Sequence, residues 1–88
     1  MRIDLALKYL CLAKSRSAVK TMCDMNAVNV NGRPAKPSSP LHVDDRVRIT
    51  TPAWTLTISL LSIPEKQLSK TAAPAYYRVI ERTRSQGE

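Results

Sequence analysis

Near Asn26 the spacing of apolar residues changes from the helical period of about 3.6 to the alternation of a strand, which divides the chain into a helical front and a sheet-forming remainder. Ahead of that point, residues 16 to 25 place Ala18, Val19, Met22, Cys23 and Met25 on one arc. Arg16, Ser17, Lys20, Thr21 and Asp24 fall on the other, the pattern of an amphipathic helix with Ser15 as its capping residue. Residues 4 to 13 predict an earlier, first helix whose only polar strip is Asp4 and Lys8. Leu5, Leu7, Tyr9, Leu10, Cys11 and Leu12 cover the rest, so it is expected to be buried on most sides. Asn26 is expected to end the amphipathic helix, because after glycine it best tolerates the left-handed conformation found there.

Beyond Asn26, "AVNVNGRPAK" alternates Val28 and Val30 with asparagine and then reaches Asn31-Gly32, the strongest short signal for a type I′ hairpin. After a break at "PSSP", "RVRIT" sets Val47 and Ile49 against Arg46 and Arg48. "WTLTISL" alternates again behind a turn at "TPA", where Pro52 cannot donate to a ladder. "SIPE", from Ser62 to Glu65, has capping-box spacing and predicts a short helical turn. Pro74 opens "PAYYRVIERTR", in which Tyr76, Val79 and Ile80 predict a C-terminal helix with one apolar face. The fold class is α+β: two N-terminal helices packed on a small, mostly antiparallel sheet, plus an extra strand and a C-terminal helix. The closing "RSQGE" is expected to be disordered.

The 88 residues have room for one core, and 14 Lys and Arg against 7 Asp and Glu give a net charge of +7. Polyanions are the natural partners, nucleic acid before acidic membrane. The basic helix face is short and lacks an aromatic stripe, which disfavours membrane-surface binding. Asp4 and Lys8 interrupt the opening apolar run, which argues against a signal peptide, and no stretch is long enough for a membrane span. Cys11 and Cys23 fit neither a disulfide framework nor a C-x-x-C motif, and are expected to be reduced core thiols in the cytoplasm. His42 has no companion ligands, so neither a metal nor another cofactor is expected, and it is read as loop surface. The scattered acids give no catalytic pair, so no enzyme and no small-molecule substrate is expected. Trp54 is expected to pack against the sheet, with base stacking as the alternative. Only one of Tyr76 and Tyr77 can face inward on a helix, which leaves Tyr77 for an exposed contact.

"KSRSAVK" is the unusual stretch. A helix start is partially positive and favours acids, yet here Lys14, Arg16 and Lys20 gather around it. Cations there disfavour an isolated helix but, together with free backbone N–H groups, form a phosphate cradle. Arg2 precedes the first helix, where the same logic applies. Arg33 and Lys36 extend the basic surface if their strand folds back beside the second helix. Asp4 is read as structural, orienting Arg2 or capping its helix.

"RIDLAL" and "KSRSAVKTMCDMNAVNVNGRPAKPSS" resemble the S4 RNA-binding domain, with its R-L-D-x-x-L opening, S-R-S/T-x-A helix start and G-x-V-x-V-N-G hairpin. The resemblance covers about residues 2 to 50. Leu5 stands where a polar residue is frequent, Asn26 where a helix-ending Gly is usual, and Asp44 where a Gly-Asp turn has its Gly. It implies an S4-like (αL) fold with RNA phosphates held at the second helix and the hairpin behind it. The RNA-binding residues it carries over are Arg2, Ser15, Arg16 and Lys20, while Lys14, Arg33 and Lys36 follow from charge. The division implied is an S4 domain at 1–50, a strand and C-terminal helix extension of the same domain at 51–84, and a disordered tail at 85–88.

A stand-alone S4 domain with "AAPAYYRVIE" near its end is similar to the ribosome-associated heat-shock protein 15 family and its short ribosome-quality-control relatives (RqcP). That resemblance implies a cytoplasmic, ribosome-associated protein, and a monomer is expected. Its partners would be ribosomal RNA and tRNA on free large ribosomal subunits carrying peptidyl-tRNA, and its role the quality control or recycling of stalled subunits. A protein-interaction adaptor, or a general structured-RNA-binding module, is the alternative.

Overall fold

Two helices, α1 (Ile3–Tyr9) and α2 (Arg16–Asp24), precede five strands in a computed structural model that describes residues 1–84. The strands are β1 (Val28–Val30), β2 (Arg33–Pro34), β3 (Arg46–Thr50), β4 (Trp54–Leu60) and β5 (Tyr77–Arg84). They form one sheet in the order β2-β1-β3-β4-β5, with every described pairing antiparallel. The helices cover one face of it. Ile3, Ala6, Leu7 and Leu10 of the first helical segment and Val19 and Cys23 of α2 share a core with Val28, Val47, Ile49, Leu56, Ile58 and Leu60. Alternation places Asn29, Arg48 and Thr57 side by side on the other, open face.

Both helices end the same way. The N–H of Leu12 donates to the Leu7 carbonyl at 3.0 Å and that of Cys11 to Lys8 at 3.0 Å. At α2 the N–H of Ala27 donates to Met22 at 2.8 Å and that of Asn26 to Cys23 at 2.9 Å. These are Schellman closures, each with its second residue past the helix in the left-handed region: Cys11 at φ 60° and Asn26 at φ 57°. Asn26 therefore ends α2 as its chemistry predicts. Asn26→Gly is expected to be neutral or mildly stabilising and Asn26→Val to cost about 1–2 kcal/mol, read from thermal melts. Equal melting temperatures for all three proteins would overturn it. Asn31 (φ 53°) and Gly32 (φ 85°) supply the two positive φ angles of the hairpin turn, and Asp44 occupies its turn at φ 75°. Asp45 ties that turn to β1. Burial alone would raise its carboxyl, but hydrogen bonds from the Asn31 side chain and the His42 backbone outweigh this and hold it below the usual carboxylate range.

Several expectations are corrected. The first helix stops at Tyr9, because Cys11 takes the left-handed position that sequence reasoning reserves for Gly or Asn. Asp4 is not on a wet strip but buried, and Met25 caps α2 at 69% exposure instead of joining its apolar arc. No helical turn follows "SIPE": Leu68 N instead satisfies the Tyr9 carbonyl left open at the end of α1 (3.1 Å), and Gln67 Nε2 adds a second donor to Lys8 O (3.1 Å).

The C-terminal helix is absent too, replaced by a 3-10 turn (Ala73–Tyr76) and β5. A bulge in β5 produces the helix-like spacing. Thr57 faces Glu81 and Ile58 faces Val79, which leaves Ile80 as an extra residue and sets two apolar side chains adjacent, as a helix face would. Tyr76 and Tyr77 both pack against the core, since the backbone changes from turn to strand between them. Trp54 is the opposite case: although its register faces the core side, it lies at the sheet's end and is 36% exposed. His42 is exposed, its Nδ1 3.7 Å from Asp45. Cys23 is buried; that burial first, then Asp24 and Asp4, pushes its thiol up. Cys11 is half-buried, its thiol donating to the Leu68 carbonyl at 3.1 Å. The tail expected at 85–88 lies outside the described residues.

Candidate functional site

The Ser15 Oγ accepts the Ala18 N–H at 3.1 Å and caps α2. That leaves the N–H groups of Arg16 and Ser17 without an intramolecular acceptor among the described residues, the open donors of a helix start. An open cleft of about 620 Å³ lies there, lined by Arg2, Asp4, Arg16, Lys20, Lys36 and their neighbours Ser17, Asp24, Pro37 and Ser38. Four cations and two acids thus face one hollow.

The loop after β2 brings Lys36 to it. Ile3 N donates to Ser39 O (2.9 Å), Asp4 N to Pro37 O (3.1 Å) and Leu41 N to Met1 O (2.8 Å), so residues 37–41 are stitched to the chain's opening residues. These bonds also consume the amides that α1 would have offered. Leu5 N, the next one, donates to Asp4 Oδ1 at 2.7 Å. The expectation that the start of α1 repeats the logic of α2 is corrected accordingly: Arg2 reaches the cleft through its guanidinium alone.

Asp4 organises the arginines. Its side chain is 6% exposed, and its Oδ2 accepts from Arg2 Nη2 at 3.1 Å and from Arg16 Nη2 at 3.4 Å, while Oδ1 accepts from Arg2 Nε at 3.2 Å. Both arginine side chains are about half exposed, 53% and 49%, and each guanidinium has N–H groups beyond those bonded to Asp4. Lys20 pairs with Asp24 at 3.4 Å on the wet side of α2. A buried carboxylate holding two arginines at a helix start gives an anion-seeking surface suited to phosphate. Among the described residues no group of three His, Cys, Asp or Glu gathers to hold a metal.

Of the seven residues expected from sequence, Arg2, Arg16, Lys20 and Lys36 converge in this cleft, and Ser15 builds the helix start beside it. Lys14 lines a separate hollow with Lys8, Gln67 and Lys70, and Arg33 is on the outermost strand β2, exposed and outside the cleft. Ser17, Pro37 and Ser38 were not anticipated as lining residues. Ser17 was legible from its place in the first turn of α2; the other two depend on long-range stitching that leaves no local signal.

The S4 domain family matches residues 1–47. Over 84 residues the chain is 33% identical to the RQC P-site tRNA stabilizing factor of Streptococcus pneumoniae (strain ATCC BAA-255 / R6), covering 96% of this chain and 94% of that protein. The trimeric structure of heat shock protein 15 from Vibrio cholerae superposes with a TM-score of 0.84 at 25% identity, over 90% of this chain and 80% of that one.

Proposed function

We propose, for a chain that belongs to the S4 domain family, that it binds ribosomal RNA and tRNA on free large ribosomal subunits carrying peptidyl-tRNA, in the quality control of stalled subunits. The observation that carries this reading is the cleft at α2, where Arg2 and Arg16 are held by buried Asp4 beside free helix N–H groups, with Lys20 and Lys36 at its rim. Such a site takes backbone phosphates by position and charge rather than by base identity. The name of the Streptococcus relative, matched nearly end to end, supports the ribosomal setting.

In this reading residues 1–50 are the S4 domain and 51–84 its extension, and the protein acts by binding, as a cytoplasmic monomer. Sedimentation of the free protein separates that monomer from a trimer such as the Vibrio cholerae structure. No helix among the described residues is long and apolar enough to cross a membrane.

Fractionating lysate on a sucrose gradient tests the proposal. The protein is expected with free large subunits that retain peptidyl-tRNA and scarce on translating ribosomes. Recovery only in the soluble top fractions, after mild crosslinking at low salt, would refute the ribosomal assignment.

A further inference from the structure

A second hollow, of about 400 Å³, opens at the far end of the core and is lined by Cys11, Leu12, Trp54, Leu56, Arg82 and Arg84. Hydrogen bonds hold the backbone on one side of it. Trp54 closes a tight turn in which its N–H donates to Thr51 Oγ1 (2.9 Å) and its carbonyl accepts from Thr51 N (2.8 Å) and Thr51 Oγ1 (2.9 Å). Leu12 is held by the closure of α1, and Cys11 by its thiol bond to Leu68.

Cross-strand register sets Arg84 opposite Trp54 and Arg82 opposite Leu56 on one face. Neither arginine has a carboxylate within ion-pairing distance among the described residues. An exposed indole beside Leu12 and Leu56 and two guanidiniums with no carboxylate partner among the described residues matches a flat aromatic body joined to an anion.

We propose that this hollow binds one unpaired nucleotide of RNA, its base stacked on Trp54 and its phosphate held by Arg82 and Arg84. Stacking on an exposed aromatic beside basic side chains is how single strands are held without sequence preference. The cleft at α2 has cations and amides but no aromatic, so it suits backbone alone; the two hollows ask for different parts of an RNA. The proposal rests on RNA binding by this domain, not on the ribosomal setting.

Trp54 is the sole tryptophan, so intrinsic fluorescence reports on the site directly. Titrating the full-length protein with hexaadenylate is expected to quench it saturably, whereas inorganic tripolyphosphate and hexaglutamate, anions without bases, leave it unchanged. The double variant Arg82→Gln/Arg84→Gln is expected to weaken the quenching midpoint about tenfold. Arg46→Gln/Arg48→Gln removes the same charge from the open face of the sheet and is expected to change it less than about threefold. With labelled hexaadenylate read by anisotropy, Trp54→Phe is expected to bind within a few-fold of the parent and Trp54→Leu about tenfold more weakly. Absence of quenching, equal quenching by the base-free anions, or equal losses from the two double variants would each overturn the proposal. Quenching without co-sedimentation with large subunits would leave this site standing and remove the ribosomal reading; the reverse result would do the opposite.

Discussion

Reversing one charge, Arg16→Glu, is expected to weaken binding to large subunits or structured RNA by about a hundredfold. Arg16 stands in the first turn of α2, its Nη2 3.4 Å from Asp4 Oδ2, with a half-exposed side chain that lines the cleft. Losing a charge-assisted phosphate contact costs about 1.5–3 kcal/mol, and the new carboxylate adds repulsion against the phosphate it replaces. Stability is affected far less, because the changes oppose each other. An acid suits a helix start, while a second carboxylate near Asp4 is unfavourable, and each effect is worth about 1 kcal/mol or less at a half-exposed position.

A reversal at Lys66 changes net charge equally, on a segment that lines a different hollow beside Glu65 and Tyr76. It is the control for long-range attraction. Across a salt series, Arg16→Glu is also expected to flatten the dependence of log affinity on log salt by about one unit, and Lys66→Glu is not. Equal weakening by the two reversals would mean that the cleft is not the site.

Local chemistry wrote the helix caps, the hairpin and half of the cleft legibly into the chain. Ser15, Asn26 and Asn31-Gly32 each do in the structure what a few neighbouring atoms require of them, so their roles need no long-range information. Cys11 shows the limit. It adopts the same left-handed geometry as Asn26, but nothing in its own chemistry favours that; the surrounding closure and the Leu68 carbonyl hold it there.

Ile80 shows another limit: one bulged residue converts the alternation of a strand into an apparent helix face, and only the partner β4, otherwise an open edge, decides between them. For the cleft, charge near a helix start and the S4 resemblance pointed to Arg2, Arg16 and Lys20, but the stitching of residues 37–41 to the chain's opening is what brings Lys36 beside them. Equal charge at Lys14 and Arg33 faces elsewhere.

Removing an acid from a phosphate site ordinarily tightens it, and Asp4→Asn is expected to do the reverse, weakening RNA affinity about tenfold or more. The carboxylate is the common acceptor for Arg2 Nε, Arg2 Nη2, Arg16 Nη2 and the Leu5 N–H. An asparagine keeps one acceptor oxygen. With it placed to receive Leu5 N–H and Arg2 Nε, its NH₂ group faces the Nη2 atoms of both arginines, donor against donor. The two guanidiniums then lose their shared anchor, and ordering them must be supplied at the moment of binding. The fold survives, because Arg2 and Arg16 are half exposed and water solvates them; the stability cost is about 1–2 kcal/mol, and affinities are compared well below the melting temperature. Asp24→Asn is the matched control. It removes the same charge from the same cleft but releases only Lys20 from an exposed pair, so binding is expected to hold or strengthen slightly. If both substitutions tighten binding, Asp4 merely dilutes a basic patch; opposite signs for the two make alignment of the arginines, not their number, the property that the buried carboxylate supplies.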